Sequence, residues 1–319
     1  MLRMLLRRLA LGLVTVCLVS LIIFVGVEIL PGDACTAFLE REAKGKLLEN
    51  CQIEQGLNRP ATERYIEWVA GAVTGDFGVT ADGKTTIAEI VGYRLRNTLL
   101  LASMAMGVGV PLALFLGVVA ALWRDRMADL TISSIAIAAM TIPEFVSATL
   151  LILIFSIWLG WVPGVVLTSP DAALSEFFPT ILLPVAVLTL VMTAHILRTV
   201  RSSVIEAMAS DYAQMATLKG VPYWQIVFRH VLPNALLPAI NVVALTIAWL
   251  LGGVVVIETV FNYPGMGRMM IDSISDRDLP VTQAIALIIA SVYVSVNLAA
   301  DILTMLANPR LRTLHLRKG

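Results

Sequence analysis

The chain has 319 residues, 58% of them hydrophobic and 14% charged, with a formal net charge of zero and a mean hydropathy of +0.85. Soluble domains carry about 25% charged residues, so a water-soluble globular protein is excluded and the composition is that of an all-α integral membrane protein. With no net charge and no basic patch, nothing points to nucleic acid or to an acidic partner drawn in electrostatically.

A hydrocarbon core about 30 Å thick takes about 20 apolar residues as a helix, because each backbone amide must bond within its own segment. Six stretches meet this condition: 9–30, 99–123, 130–161, 177–197, 235–257 and 281–306. The first follows Arg3, Arg7 and Arg8 but is longer than a signal-peptide core and lacks a small-x-small cleavage site, so it reads as an anchor. The third contains Pro143 and is long enough for a tilted or broken helix. Basic residues (Arg124, Arg126, Arg198, Arg201, Lys219, Arg229, Arg310, Arg312, Arg317 and Lys318) gather in the loops and tails that are inside if both termini are inside, while the short outer loops hold Arg268 and Arg277. The expected layout is an inner N-terminus and first span (1–30), an extracytoplasmic loop (31–97), a five-span core (98–306) with an inner loop at 198–234, and an inner tail (307–319).

The outer loop holds Cys35 and Cys51. An oxidising exterior permits a disulfide between them, which would contribute roughly 3 kcal/mol by loop closure; two unrelated thiols are the alternative. In RPATERYIEWVAGAVTGDFG, Tyr65, Ile66, Val69, Ala72 and Val73 fall at helical spacing. That predicts an amphipathic helix ending at Gly75-Asp76, which either caps the bundle or meets a partner outside.

Between the fourth and fifth apolar stretches lies the polar, aromatic-bearing segment DYAQMATLKGVPYWQIVFRHVLPNALLP. Residues 211–218 are long enough for two helical turns, Gly220 suits a left-handed terminator, and Pro222 suits the first turn of a second helix. Short helices are marginal in water. Tyr212, Met215, Tyr223, Trp224 and Phe228 are residue types enriched where proteins grip one another.

These residues resemble the membrane subunits of ABC importers, whose inner loop carries a Glu-Ala-Ala pattern followed after three intervening residues by Gly, with Leu-Pro twelve residues beyond that Gly. Gly220 and Leu232-Pro233 have this separation, and counting back puts the pattern on Gln214, Met215 and Ala216. Gln replaces the usual Glu, His230 stands at the usual Ile, and the literal Glu206-Ala207 upstream is out of register. ATLKG with RHVLPNALLP is similar to the dipeptide and oligopeptide permease branch, as are ILPGD, RLRNTLLLA, TIPEF, LGWVPG, IETVFNYPGMGRMM and DILTMLANPRLR along nearly the whole chain.

The resemblance implies a six-helix type I importer permease that is not itself an enzyme. Its partners would be a second, homologous permease chain, two ATP-binding subunits, an extracytoplasmic substrate-binding protein and the lipid bilayer of a bacterial inner membrane. ATP and magnesium would be held by the ATPase subunits, with no cofactor or metal in this chain. Asp211, Tyr212, Gln214, Met215, Ala216, Lys219 and Gly220 become the ATPase-coupling element, with Leu232 and Pro233 setting the start of the fifth span. Peptide is the implied solute; nickel chelates, glutathione and sugar oligomers pass through similar permeases.

Two acids are candidates for the translocation pathway. Glu144, beside Pro143 in the third stretch, would cost about 2.5 to 3.5 kcal/mol or more if left ionised against lipid, so it should face the protein interior, either beside a peptide amino group or paired with a neighbour. Glu258 precedes the Tyr263-Pro264-Gly265-Met266-Gly267 turn and is expected at an outer helix end, shaping a gate or solvated at the interface. Two rival classes lack their signatures. A hydrolase needs HExxH or GxSxG, neither of which occurs, and no GxxxxGK[ST] cradle for ATP is present. An ion-driven transporter or channel tends to repeat broken helices in matched halves, and no internal repeat is visible.

Overall fold

The structure, a computed structural model, describes residues 2–307 except 30, 31, 33, 40–43, 55 and 82. The predicted tail beyond Ala307, with Arg310, Arg312, Arg317 and Lys318, lies outside the described residues. Apart from one isolated bridge between Val79 and Thr86, the described regular elements are helices. In chain order they are α1 (Leu2–Ile29), α2 (Ala34–Leu39), α3 (Gly45–Glu54), α4 (Ala61–Thr74), α5 (Ile87–Leu122), α6 (Met127–Thr141), α7 (Glu144–Leu151) and α8 (Leu182–Met208). There follow α9 (Asp211–Leu218), α10 (Tyr223–Gln225), α11 (Leu232–Val260), α12 (Met266–Ser275) and α13 (Leu279–Ala307).

Four helical segments are long and apolar enough to cross a membrane: Leu6–Ile29, Ile87–Leu122, Leu182–Met208 and Leu279–Ile302. Two bent pairs raise the number to six if each is one span. The expected third stretch is one of them and is no single straight helix: Met127–Thr141 and Glu144–Trp158 meet at 109°. The break falls at Ile142 and Pro143, because a proline inside the helix would drive its ring into the carbonyl four residues back and leave that carbonyl unbonded. The other bent pair, Tyr223–Leu236 with Pro238–Ile247, turns by 40°.

The second span starts at Ile87, well ahead of the apolar onset at Leu99. Its early turns are amphipathic, and Ile87 and Val91 bury against Met266, Met269, Val281 and Ile285 of α12 and α13. Deeper in the membrane, α5 lies along α8, the most buried of the long helices. The contact depends on small residues recurring every four positions on α5: Ala105, Gly109, Ala113, Gly117 and Ala121. A methyl group on Gly109 would stand 2.3 Å from Met192 Cε, and one on Gly117 would stand 2.7 Å from Val200 Cβ. Lipid tails are as apolar as leucine, so helices in a membrane associate through such close packing and through polar links. Here Thr193 Oγ1 donates to the Gly109 carbonyl at 3.3 Å, and Thr189 Oγ1 reaches the Ala105 carbonyl at 3.5 Å.

At the far end of that seam Arg201 of α8 makes a two-pronged pair with Asp129 in the first turn of α6, Nε to Oδ1 at 2.6 Å and Nη2 to Oδ2 at 2.7 Å. Ser133 Oγ and the Asp125 amide also donate to this carboxylate, whose side chain is only 2% exposed. The pair holds the short α5–α6 turn onto α8.

On the other side, α1 packs along α13, with Gly12 against Val294. Arg8 pairs with Asp301 at one end of this contact and Glu28 pairs with Arg64 of α4 at the other. The helix expected from the Tyr65 periodicity is α4, closed by Gly75 in the left-handed conformation. Its inward row differs from the expected one. Tyr65 and Trp68 pack on Phe24, and Ser20 bonds the Tyr65 hydroxyl, whereas Ile66 and Val73 point away from the protein. Cys35 and Cys51 are joined in a disulfide that links α2 to α3.

Removing one partner of a buried ion pair strands the other charge. Asp129→Ala is expected to lower stability by about 3 to 5 kcal/mol, and an Asp129→Met, Arg201→Leu double variant to recover most of that. Thermal unfolding of the purified protein in detergent checks both; equal losses in the two variants would remove the pair as the cause.

Candidate functional site

The loop between α8 and α11 forms an elbow at the end of α8. Ser210 precedes α9, with Asp211 in its first turn, where a negative charge faces the positive helix end. The helix ends as the sequence demands: Gly220 has φ +75°, its amide bonds the Thr217 carbonyl and the Val221 amide bonds the Ala216 carbonyl at 3.1 Å. This is a Schellman termination, closed by the Val221–Ala216 apolar pair. Pro222 then begins the second arm, α10, which widens into a π-turn at Ile226–Val231 before α11.

One row of elbow residues faces the protein. Ala213, Ile226, Val227 and Val231 are buried, and Ala216 and Val221 pack against the core. The opposite row is solvent-facing and apolar: Tyr212, Met215, Leu218, Tyr223, Trp224 and Phe228 are 43% to 81% exposed. Trp224 stacks on Phe228 with ring centroids 6.0 Å apart and meets Tyr223 edge-on at 5.4 Å. Asp211, Gln214, Thr217 and Lys219 ring this row with polar groups.

The structure therefore divides the sequence-predicted coupling residues. Asp211, Tyr212, Gln214, Met215, Lys219 and Gly220 are exposed, while Ala216 faces inward and anchors the elbow. Leu218, the most exposed of the row at 81%, was missed; its spacing of three from Met215 and six from Tyr212 is the signal that identifies it. Leu232 and Pro233 open α11, with Pro233 in its first turn. They follow the π-turn directly, which widens the backbone where the Pro233 ring would otherwise meet the Arg229 carbonyl, and the bend itself comes at Pro238.

Glu144 is the first residue of α7, immediately after the break. Its carboxylate lies against Gly253 of α11, where an added methyl would stand 3.1 Å from Oε2 and 3.4 Å from Oε1. Oε2 is buried and accepts no hydrogen bond.

Glu258 departs from one of its two expectations, solvation at the interface. It is fully buried, so it is not an interfacially solvated acid. Thr98 Oγ1 donates to Oε1 at 2.6 Å, and the Gly267 and Arg268 amides donate to Oε2 at 2.7 and 3.1 Å. Thr98 Oγ1 in turn accepts from the Met266 amide at 2.8 Å. The first three amides of α12, which have no partner within the helix, are thus satisfied by one carboxylate and one hydroxyl, with negative charge set at the positive helix end. The turn Tyr263–Gly267 has glycines because of this proximity: a methyl on Gly265 would lie 2.0 Å from Glu258 Oε1, and one on Gly267 would lie 2.6 Å from Val255 Cα.

Asn97, beside Thr98, extends the cluster. Its Nδ2 donates to the carbonyls of Pro170 and Pro264, its own carbonyl accepts from the Tyr263 hydroxyl at 2.8 Å, and Arg96 donates to the carbonyls of Pro170 and Ala172. In that loop Ser169 bonds the exposed Asp171 carboxylate and so lowers its pKa. The cluster joins α5, α11, α12 and the 159–181 loop. It lies at the start of α8, where Phe177 packs on Tyr263, and a 27-residue helix separates it from the elbow by roughly 40 Å.

Residues 109–313 match the family described as "Binding-protein-dependent transport system inner membrane component", and residues 1–106 match the corresponding N-terminal family. A glutathione transport system permease protein of Escherichia coli is 34% identical over 313 residues, covering 98% of this chain and 99% of that protein. A probable peptide ABC transporter permease protein of Sinorhizobium fredii is 32% identical over 308 residues, covering 96% and 98%. Among solved structures, the inward-facing MetNI methionine ABC transporter aligns with TM-score 0.53 at 18% identity, over 68% of this chain and 94% of that chain. An amino acid ABC transporter with histidines aligns with TM-score 0.52 at 20% identity, over 70% and 94%. These two share the fold.

Without Glu258 the first amides of α12 lose their acceptor. Glu258→Ala is expected to cost roughly 2 to 4 kcal/mol. Gly265→Ala should also destabilise the protein, but far less in the Glu258→Ala background, since the atoms it strikes are then gone. A double-mutant cycle on unfolding midpoints reads this coupling, and strictly additive effects would refute the cap.

Proposed function

Because this chain belongs to the family of binding-protein-dependent transport system inner membrane components, and so is a multi-pass permease subunit of an ABC importer, we propose that its elbow is the part gripped by an ATPase. It forms one half of the translocation pathway, beside a second, homologous permease chain. Both termini lie inside, six spans cross the bilayer, and the elbow emerges on the cytoplasmic face. Two ATP-binding subunits hold ATP and magnesium, and an extracytoplasmic binding protein delivers the solute.

The observation that carries this reading is the exposed apolar row on α9 and α10. An unpaired row of Tyr, Met, Leu, Trp and Phe with a polar rim has the anatomy of a protein interface, whereas a helix resting in headgroups would present a broader apolar face flanked by basic residues. The inward row of Ala213, Ala216, Ile226 and Val227 ties the elbow to the membrane helices, so a push on the outer row reaches α8 and α11 directly.

Peptides or peptide-like solutes are the proposed cargo. The support is the similarity over nearly the full chain to permeases whose names give glutathione and peptide as cargo.

Leu218→Asp and Trp224→Ala are expected to lower ATP-driven uptake about tenfold or more at normal membrane levels of the chain, with loss of co-purifying ATPase. Gly220→Val meets no neighbouring atoms but strains the left-handed turn, and should uncouple ATP hydrolysis from uptake. Uptake that survives ATP depletion yet stops on collapse of the ion gradient would overturn the reading, as would full transport by all three variants.

A further inference from the structure

Among the described residues, two opposite charges, Arg198 and Glu144, have no ion-pair partner. Arg198 of α8 lines a groove of about 470 Å³ between α6, α8 and α11, together with Met140, His195, Ser202, Leu245 and Thr246. Its guanidinium is exposed and meets Met140 Sδ at 3.7 Å; among the described residues, no carboxylate lies within ion-pair distance of it. Glu144 is the second charge, with a buried oxygen that accepts nothing.

The two lie along one track. Thr246 in the groove and Gly253 against Glu144 are seven residues apart on α11, so they share a face and are separated by roughly 10 Å. Met140, at the groove, and Glu144 stand on the two sides of the Pro143 break. A chain of two or three extended residues spans at most about 7 to 11 Å. Isolated charges in a membrane protein are costly and mark pathways, and the α11 positions beside the two charges are about a short peptide's length apart.

We infer that the α8–α11 groove and Glu144 form a two-ended site for a zwitterion, Arg198 taking the carboxylate and Glu144 the ammonium of a peptide of two or three residues. The glycine at 253 leaves room for the carboxylate to turn toward the solute, and the fork of Arg198 suits a carboxylate. This site rests on the importer reading, and deepens it by placing recognition in the permease as well as in the delivering protein.

The test uses the complex purified through this chain, in phosphatidylcholine nanodiscs without binding protein, titrated with radiolabelled dialanine and trialanine and with their N-acetyl and C-amide forms. For the unmodified complex, each block should weaken binding about tenfold or more. Glu144→Gln should erase the penalty for N-acetylation alone and Arg198→Gln the penalty for amidation alone. Should Glu144→Gln fail to assemble, Gly253→Ala, which crowds the carboxylate, should give the same loss of amine discrimination. Equal binding of free and blocked peptides, no binding below about 10 mM, or an Arg198→Gln complex that still discriminates against the amide because the arginine holds only lipid phosphate, would each overturn the site. Absence of any co-purifying ATPase would instead strike the importer assembly, and leaves the binding result to judge the site by itself.

Discussion

In the seam between α5 and α8, alanine or glycine recurs at every fourth residue of α5, so α8 side chains such as Met192 and Val200 sit directly on the α5 backbone. Two threonine hydroxyls cross that seam to carbonyls of the facing helix. Methyl groups at Gly109 and Gly117 would force the helices apart. Everything else is hung on this pair: α6 is tied to α8 through Asp129 and Arg201, α11 packs along the same helix, and the two ends of α8 carry the Glu258 cluster and the elbow. The central helix, roughly 40 Å long, spans the distance between the Glu258 cluster and the elbow.

Three carboxylates in or beside the membrane show three solutions to the cost of a buried charge. Asp129 is matched by a guanidinium fork. Glu258 has no ion pair but accepts two helix amides and a hydroxyl, so backbone dipoles do the work of a counter-charge. Glu144 has neither. Among the described acids it is the one with a buried oxygen left without a hydrogen-bond partner.

The elbow follows a different logic. Its inward alanines let α9 lie close to the bundle, and the outward row keeps large side chains that its own chain leaves uncovered. Gly220 is required because the chain must reverse within two residues, and a side chain there would be strained even though open space surrounds it.

Much of this was legible in the residues: the apolar stretches, the helix–turn–helix of the elbow with its glycine and proline, the helix after residue 60, and the spacing from Gly220 to Leu232. Such features are local, set by periodicity and by the φ preferences of glycine and proline. Tertiary structure alone decided the rest. The direction of Ile66 and Val73, the inward turn of Ala216 and the 109° break at Pro143 depend on what lies across from them. Glu258 gives the clearest case: its sequence neighbours suggest an exposed helix end, yet Thr98, distant in the chain, and the α12 amides close over it. Whether a charge is solvated, paired or capped is a property of the space around it, and that space is built by residues its own segment does not contain.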